Sequence, residues 1–340
     1  MLRMIKADAY FPYRRMFGLF ALGLSLLLGG FFILGLLVGT VPLGKLFHLQ
    51  ADAHRAADFI IRLRFNREIA AIFCGGMLAM GSAMLQALTR NAMVAPDLTG
   101  LTSLGCLLIV VCEILWLKSP VMNVVMGTAG AMLGFILCFS FTKNQQSSNR
   151  LGVILAGISI SFTATAFLQL LILNAPQDLD DYLHFLTGTL YAINDETVTL
   201  IIMMALVALP AALMLSKYFN VLTLDDQTCH SIGVPMKRYR VYCFMTASVL
   251  IGTSVIGVGN MGFLGIVAPN LARILVGNRP RYVFVLSFLV GALMYLLADT
   301  LGRCLISPAE IPAGLMTNMM SAPLFLYILF RYFRGQYEWN

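Results

Sequence analysis

The sequence predicts an all-α polytopic membrane protein, and its composition is the first reason. Of its 340 residues, 59% are hydrophobic and only 11% are charged, whereas an ordinary soluble domain has roughly 25% charged residues. The mean hydropathy of +0.84 agrees with this composition. A soluble enzyme, a DNA-binding protein and a disordered scaffold all need more charge than this chain carries, so these classes are disfavoured.

The second reason is a series of ten apolar runs, since a bilayer core takes roughly 20 residues of helix. The third and fourth runs are separated only by Lys118, Ser119 and Pro120, and the eighth is short and contains Pro269. We expect one transmembrane helix per run and a single transmembrane domain over residues 1–340. The runs occupy residues 17–39, 68–88, 98–117, 121–142, 151–174, 196–216, 240–258, 262–276, 282–304 and 312–333.

The distribution of charge predicts the orientation of these helices. If residues 1–16 form a cytoplasmic N-terminal segment, most of the 23 Lys and Arg residues fall on the cytoplasmic side, as short basic loops usually do. We therefore expect both termini in the cytoplasm. Five acidic residues then share one outer loop: Asp178, Asp180, Asp181, Asp195 and Glu196.

Three arginines before the second helix depart from this distribution, because Arg62, Arg64 and Arg67 would lie outside. Their long side chains can snorkel to the membrane interface, which needs no partner. They can equally form a docking surface for an acidic extracellular protein. Composition alone leaves both interpretations open.

The chain lacks a working nucleotide motif. Residues 39–46 read GTVPLGKL, but Leu46 stands where a P-loop needs Ser or Thr, and an apolar helix precedes the run instead of a strand. We expect this chain not to be an enzyme, so ATP-driven transport would need a separate ATPase. The seven Cys form no CxxC pair and the four His lack ligand spacing, so we expect neither a metal site nor a cofactor.

Two further segments interrupt the helical pattern. Residues 257–265 read GVGNMGFLG, and so many glycines either line a cavity or allow close helix packing. Residues 224–239 form the longest polar stretch on the predicted cytoplasmic side, and a simple connector could be much shorter. This stretch is either a solvated loop or a platform on which another protein pushes.

Four blocks of sequence follow one another along most of the chain. RFNR lies at 64–67 and GGMLAMGSAMLQALTRNAMVAPDLTG at 75–100. GNMGFLGIVAPNLARILVG lies at 259–277, and residues 298–329 contain ADTLGR and PAEIPAGLMTNMMSAPLFLYIL. These blocks resemble the FecCD family of ABC importer permeases, which import ferric siderophores, haem or cobalamin.

The resemblance implies a type II ABC importer permease fold. Such a subunit has ten transmembrane helices, both termini in the cytoplasm, and an inverted repeat that relates helices two to five with helices seven to ten. The implied partners are a pair of ABC ATPase subunits, a periplasmic or lipid-anchored substrate-binding protein, and a second permease subunit, identical or paralogous. The implied location is the bacterial cytoplasmic membrane, with the lipid bilayer and no nucleic acid as a partner.

The resemblance also implies roles for residues on both faces. Arg64, Arg67 and Arg303 match arginines that dock the binding protein. Asp299 and Arg303 are four residues apart on one helix, so we expect them to pair in the free state. The stretch 224–239 matches the coupling helices that contact the ATPase, and its expected contact residues are Leu224, Asp225, Ser231, Ile232, Gly233, Val234 and Pro235.

Two more sets belong to the expected route of the cargo. The cytoplasmic gate loop corresponds to Ser147, Ser148 and Asn149. Polar side chains of the fifth helix either line the pathway or bond to neighbouring helices, and the family places this helix along the central route. These side chains are Ser159, Ser161, Thr163, Thr165 and Gln169.

Several positions depart from the family pattern. Phe65 and Asn66 replace Leu-Pro, Asn270 replaces the usual His, and Ala92 replaces Pro. The first departure puts the geometry of the outer turn in doubt, and we do not expect the others to abolish function.

Ferric siderophore is the expected cargo, with haem or cobalamin as the alternative. An ion-coupled secondary transporter would need buried ionisable residues at mid-membrane, for which Asp299 and Glu113 are the candidates. Both lie near the expected outer ends of their helices. A membrane enzyme is the third class, but the sequence shows no acid–base or nucleophile cluster.

Overall fold

The computed structural model describes residues 10–38, 51–115, 119–142, 150–174, 179–191, 193–222, 236–306 and 309–333. Within these ranges the regular structure is helical throughout, which confirms the all-α prediction. The helices are α1 (Tyr10–Leu37), α2 (Ala51–Thr89), α3 (Leu101–Ile114), α4 (Pro120–Thr142), α5 (Arg150–Leu173), α6 (Leu179–Thr187), α7 (Asp195–Leu222), α8 (Met236–Val258), α9 (Leu264–Val276), α10 (Pro280–Leu305) and α11 (Ala313–Phe333).

Ten of these helices correspond to the ten predicted runs. Among the described residues, eight helices are long and apolar enough to cross a membrane, and α3 and α9 are shorter apolar helices. α4 begins at Pro120, so the break between the third and fourth runs is confirmed.

Two features of the helices differ from the sequence prediction. α6 is an additional helix of 9 residues inside the loop that was predicted between the fifth and sixth runs. α2 begins at Ala51 rather than near residue 68, and it has 39 residues. Its first turns carry charged side chains, which is why hydropathy alone did not include them.

α2 lies at the centre of the fold, because it packs on both α8 and α10. Met77, Leu78 and Met84 are among its fully or almost fully buried side chains. α1 lies at the periphery: it packs mainly on α10, where the rings of Phe17 and Tyr282 stack with centroids 4.6 Å apart. The remaining surface of α1 is largely exposed and apolar, as expected of a helix that faces lipid.

The contacts between helices repeat along the chain. α2 crosses α10, and α8 crosses α4. A Cβ on Gly75 would lie 2.8 Å from the carbonyl oxygen of Gly291, and a Cβ on Gly127 would lie 2.6 Å from that of Gly252. Both crossings therefore bring two backbones together at glycine, the usual device of close helix packing in membranes.

The short helices follow the same repeat. α3 comes after a non-helical segment at residues 90–100, and α9 comes after one at residues 259–263. Each short helix packs on the helix that follows it, α4 or α10. This correspondence agrees with the inverted repeat, in which α2–α5 match α8–α11.

Candidate functional site

Six charged side chains from α2, α10 and the segment before α11 come together in the folded chain. We call this group the ionic cluster. It consists of Arg64, Arg67, Glu68, Asp299, Arg303 and Glu310. It brings together residues that are more than two hundred positions apart in sequence, since α2 packs on α10.

Arg67 is held by two carboxylates. Its Nε lies 2.9 Å and its Nη2 2.8 Å from Asp299 Oδ1. Its Nη1 lies 2.7 Å from Glu310 Oε2. The planar guanidinium thus uses separate edges for the two acids, which a Lys side chain could not do.

Arg303 completes the cluster; it lies one helical turn after Asp299 on α10. Its Nε lies 3.1 Å from Asp299 Oδ2, so the predicted pairing of Asp299 with Arg303 is confirmed. The geometry of this pair is that of an ion pair and not of a good hydrogen bond. Arg303 Nη2 donates to Glu68 Oε1, whereas Glu68 Oε2 is buried and accepts no hydrogen bond.

The cluster also holds the C-terminal end of α1. Arg64 Nη1 donates to the carbonyl oxygen of Leu36 at 3.1 Å, and Arg303 Nη1 donates to that of Gly35 at 3.3 Å. The last carbonyls of a helix lack partners within the helix and carry partial negative charge, so arginines suit them. A Cβ at position 35 would overlap the carboxylate of Glu68, so a larger residue there would displace that carboxylate.

Most of these groups are buried. Glu68 and Asp299 are 0% exposed, Arg303 is 3% exposed, and Arg64 and Arg67 are each 8% exposed. The arginines that the sequence assigned to docking therefore already interact within the chain, and their docking role stays a prediction. Nearby, Arg62 pairs with Asp195 at 3.6 Å with both side chains largely exposed.

Sequence reasoning missed Glu68 and Glu310 as members of this site. A signal for Glu68 was available, because it lies four residues after Arg64, the spacing at which opposite charges meet on a helix. Glu310 lies in an irregular segment, so no periodic pattern could have placed it. Asn66, one of the family departures, donates to Asp195 Oδ1 and thereby joins α2 to the start of α7.

The structure divides the polar residues of α5 into two groups. Ser159 Oγ donates to Leu155 O at 2.9 Å and Thr163 Oγ1 donates to Ser159 O at 2.8 Å, so both bond to their own helix. They are exposed, as is Gln169. Ser161 and Thr165 turn the other way and bond to neighbouring segments, Ser161 Oγ lying 2.7 Å from Ser103 Oγ.

The exposed side of α5 mixes polar and large apolar side chains. Phe162 is 73% exposed and Leu155 65% exposed, beside Ser159 and Thr163. Hydroxyl groups that bond to their own helix can face either lipid or a pathway. The pathway role of the five α5 residues stays a prediction.

Two family departures contact each other at the other end of the fold. Asn270 Nδ2 donates to the carbonyl oxygen of Ala92 at 3.1 Å. Arg273 Nη1 donates to Asn270 Oδ1 at 2.7 Å and to Gln86 Oε1 at 2.6 Å. Asn270 therefore serves a structural purpose in α9: with Arg273 it fastens the end of α2 and the segment that follows α2.

Asp97 lies in the segment between α2 and α3. Its Oδ1 is buried and accepts no hydrogen bond, and a Cβ on Gly262 would lie 2.8 Å from its Oδ2. Burial raises the pKa of the Asp97 carboxyl to about 7. A hydrogen bond with the backbone of Leu98 lowers the pKa, but by less than burial raises it. This carboxyl therefore changes charge near neutral pH.

Other predicted sites lie outside the described residues. These are the ATPase contact residues (Leu224, Asp225, Ser231, Ile232, Gly233, Val234 and Pro235) and the gate residues (Ser147, Ser148 and Asn149). In the part of the chain that the structure describes, no three His, Cys, Asp or Glu side chains are placed to hold a metal ion. The expected absence of metal and cofactor stays a prediction.

Both candidates for ion coupling have partners. Asp299 lies between Arg67 and Arg303, in the ionic cluster. Glu113 Oε1 accepts a hydrogen bond from Asn123 Nδ2 at 2.7 Å, which links α3 to α4.

Comparison with known proteins identifies the family. The sequence profile of the FecCD transport family matches residues 26–331. The chain belongs to the FecCD transport family. The resemblance inferred from the four sequence blocks is thereby confirmed.

Members of the FecCD family are close enough to align over most of their length. The Fe(3+)-citrate import system permease protein YfmE of Bacillus subtilis is 34% identical over 274 residues, which are 80% of this chain and 82% of YfmE. The Fe(3+) dicitrate transport system permease protein FecD of Escherichia coli is 30% identical over 312 residues, 91% of this chain and 97% of FecD.

A solved structure supports the same fold. A metal-chelate type ABC transporter in an inward-facing conformation is 26% identical, with a TM-score of 0.78 over 93% of this chain and 99% of that chain. The FecCD chain described here is therefore a multi-span transport protein with the fold of ABC importer permeases.

Proposed function

We propose that the chain is the membrane-spanning permease subunit of an ABC importer that carries a ferric chelate across the bacterial cytoplasmic membrane. The observation that carries this proposal is the 34% identity to an Fe(3+)-citrate permease within a family match over residues 26–331. A pair of separate ATPase subunits supplies the energy, and a substrate-binding protein delivers the cargo. Both termini lie in the cytoplasm.

The cargo is a ferric siderophore or a ferric citrate complex. Two relatives named for ferric citrate transport support this choice. Haem is the alternative cargo, since a relative of Staphylococcus aureus named for heme-iron transport is also 30% identical. No charged residue occurs on α5 between Leu155 and Asn174. A pathway of neutral hydroxyl, amide and aromatic groups makes weak contacts with a chelate, so the cargo is released and not trapped.

The exposed side of α5 lines this pathway together with the same side of a second permease subunit. Ser159, Phe162 and Thr163 are exposed on this side, and in the complex they face the pathway between the two permease subunits. Gate residues 147–149 close the pathway towards the cytoplasm. Coupling residues between Leu224 and Pro235 receive the movement of the ATPase.

Docking of the binding protein takes place above the ionic cluster. Arg62 is exposed there, and Arg64, Arg67 and Arg303 lie beneath it. Acidic groups of the binding protein compete for these arginines with Glu68, Asp299 and Glu310. Breaking a buried ion pair costs about 3–5 kcal/mol when one partner is lost, so exchange requires an incoming carboxylate and does not occur spontaneously.

The ion pairs also argue against a secondary transporter. A coupling carboxyl must gain and lose an ion during each cycle. Asp299 is paired with two arginines that are themselves held by other carboxylates of the ionic cluster. This arrangement suits a structural ion pair better than an ion-coupling site.

The test is the ATPase activity of the complex purified with its ATPase subunits and reconstituted in lipid. Binding protein loaded with ferric citrate or a ferric siderophore should stimulate ATP hydrolysis and drive uptake of radioactive iron into the vesicles. Empty binding protein and binding protein offered haem or cobalamin are the controls. A rate of ATP hydrolysis that loaded binding protein does not change would refute the proposal. Uptake driven by an ion gradient without ATP would also refute it.

A further inference from the structure

Asn260 lies in the non-helical segment between α8 and α9, and three helices meet at this residue. Its Oδ1 accepts hydrogen bonds from Thr102 Oγ1 at 2.9 Å and from Ser103 Oγ at 3.1 Å, both in the first turn of α3. Its Nδ2 donates to Thr165 Oγ1 of α5 at 3.3 Å. Its backbone N–H donates to the carbonyl oxygen of Phe185 in α6 at 2.9 Å.

The hydroxyl groups of Ser161 and Ser103 form a chain of hydrogen bonds that runs from α5 to Asn260. Ser103 has a single hydroxyl hydrogen, and it points to Asn260 Oδ1. The contact of 2.7 Å between Ser103 Oγ and Ser161 Oγ is then donated by Ser161. α5 is thus joined to Asn260 twice, directly through Thr165 and indirectly through Ser161 and Ser103.

The backbone also holds Asn260 in position. Gly259 has a φ of 65°, which glycine adopts without strain. A Cβ at this position would lie 2.8 Å from the carbonyl oxygen of Phe185. The segment therefore lies directly against α6, and Asn260 cannot follow α5 if α5 moves.

The anchored side of α5 is opposite to its exposed side. Ser161 and Thr165 are four residues apart and share one face. Ser159 and Thr163 share another, and positions two residues apart on a helix differ by about 200°. Thr102 and Ser103 are fully buried, whereas Ser159 and Thr163 are exposed.

We propose that Asn260 is a positioning residue, which fixes the rotation of α5 about its axis so that Ser159, Phe162 and Thr163 face the translocation pathway. The inference rests on the proposed function, since it takes the exposed side of α5 as the lining of the pathway. Ser103 and Thr102 hold Asn260 from α3, and Ser161 and Thr165 hold α5 to Asn260. Loss of these bonds lets α5 turn, and the pathway then presents different side chains to the cargo.

The experiment measures the rotation of α5 directly. One cysteine is introduced as Thr163→Cys, on the exposed side, or as Ala164→Cys, where the native side chain is buried. The background carries Cys229→Ser and Cys304→Ser, because Cys304 is exposed and the Cys229 position lies outside the described residues. The complex with its ATPase subunits is treated with a maleimide, and the rate of modification is measured.

In the Asn260→Leu background, modification of the Thr163→Cys variant should slow and modification of the Ala164→Cys variant should accelerate. A change of about threefold in each is expected, the ratio that one interhelical hydrogen bond of average strength gives. A loss of folding alone would accelerate both reactions, so the opposite directions report rotation. Unchanged rates, or two rates that rise together, would overturn the inference.

A second, milder pair of variants tests the same inference if the Asn260→Leu protein does not fold or does not assemble with its ATPase subunits. Ser161→Ala removes a bond to α3, and Ser159→Ala removes a bond within α5 only. Ser161→Ala should shift the two modification rates in opposite directions, whereas Ser159→Ala should leave both as they are. Equal effects of the two variants would refute the positioning role.

Uptake separates this inference from the proposed function. If Asn260→Leu shifts the modification rates, the maximal rate of ferric chelate uptake should fall while the affinity for loaded binding protein stays the same. If the parent complex transports no ferric chelate, the proposed function fails, and the modification rates still decide whether Asn260 positions α5. Rotation without any loss of uptake in an active complex would overturn the link between Asn260 and the pathway.

Discussion

Arg67 Nε lies 2.9 Å from Asp299 Oδ1, although the two residues are 232 positions apart in sequence. Arg303 approaches the same carboxylate from the next turn of α10, with its Nε 3.1 Å from Oδ2. The negative charge of Asp299 is thus shared between two buried arginines, Arg67 and Arg303. The crossing of α2 and α10 depends on this carboxylate as well as on the glycine contact of Gly75 and Gly291.

Asp299→Asn should therefore destabilise the protein strongly. The change leaves the three arginines of the ionic cluster with two carboxylates, and losing one partner of a buried ion pair costs about 3–5 kcal/mol. The melting temperature of the purified complex measures it. The matched control is Asp195→Asn, because the amide keeps an Oδ1 that can accept from Asn66. The ion pair that this control loses, with Arg62, is exposed and contributes at most about 1 kcal/mol. Equal melting temperatures for the two variants would contradict this account of the ionic cluster.

Arg64→Ala should weaken docking of the binding protein without releasing the ATPase. Arg64 is one of the three arginines expected to dock the binding protein, and its Nη1 donates to the carbonyl oxygen of Leu36 in α1. We expect the dissociation constant to rise about tenfold at low salt, and less at high salt where charge is screened. Equilibrium binding of loaded binding protein to the reconstituted complex provides the measurement.

The control for docking is Arg238→Ala, an exposed arginine in the first turn of α8. In the proposed orientation Arg238 lies on the cytoplasmic side, so the affinity for binding protein should not change. An Arg64→Ala complex that binds as tightly as the parent at low salt would remove Arg64 from the docking surface.

Gly75→Ala should disturb the crossing of α2 and α10. A Cβ at Gly75 would lie 2.6 Å from Tyr295 Cβ and 2.8 Å from the carbonyl oxygen of Gly291, which forces the backbones apart. Overpacking of this kind costs about 1–3 kcal/mol. Gly23→Ala in α1 is the control, because nothing lies within 4 Å of a Cβ there. The Gly75→Ala variant should have a lower yield and a lower melting temperature than the Gly23→Ala variant. Equal values for the two variants would show that the crossing of α2 and α10 tolerates separation of the backbones.

Some parts of this structure could be predicted from the sequence because they depend on local patterns. The ten apolar runs correspond to the ten long or short apolar helices, since hydropathy reflects the membrane directly. The break at Lys118–Pro120 followed from proline and charge. The pairing of Asp299 with Arg303 followed from spacing on one helix.

Other parts could not be predicted, because they depend on which helices pack together. The pairing of Arg67 with Asp299 requires that α2 lie against α10, and no periodicity in either helix specifies that. The same holds for Ser161 and Thr165: both were candidates for the pathway, and only the approach of α3 and Asn260 shows that they turn inward. α6 was missed because a helix of 9 residues with acidic side chains does not resemble a membrane span.

Asp97 should make the stability of the complex depend on pH. Burial raises the pKa of its carboxyl to about 7 in the folded protein, whereas an unfolded Asp has a pKa of about 3.9. Between these values the folded state binds more protons than the unfolded state, so stability falls as the pH rises. Below about pH 4 this residue contributes no pH dependence, and above the folded pKa the loss is complete.

Asp97→Asn removes this loss, because the amide stays neutral at every pH. The variant should therefore exceed the parent in melting temperature at pH 8, and the difference should shrink as the pH is lowered towards 5. Glu196→Gln, at the exposed start of α7, serves as the control for the general effect of removing one acidic group. If the difference between the Asp97→Asn variant and the parent is the same at both pH values, the carboxyl of Asp97 is not the buried titrating group inferred from its surroundings.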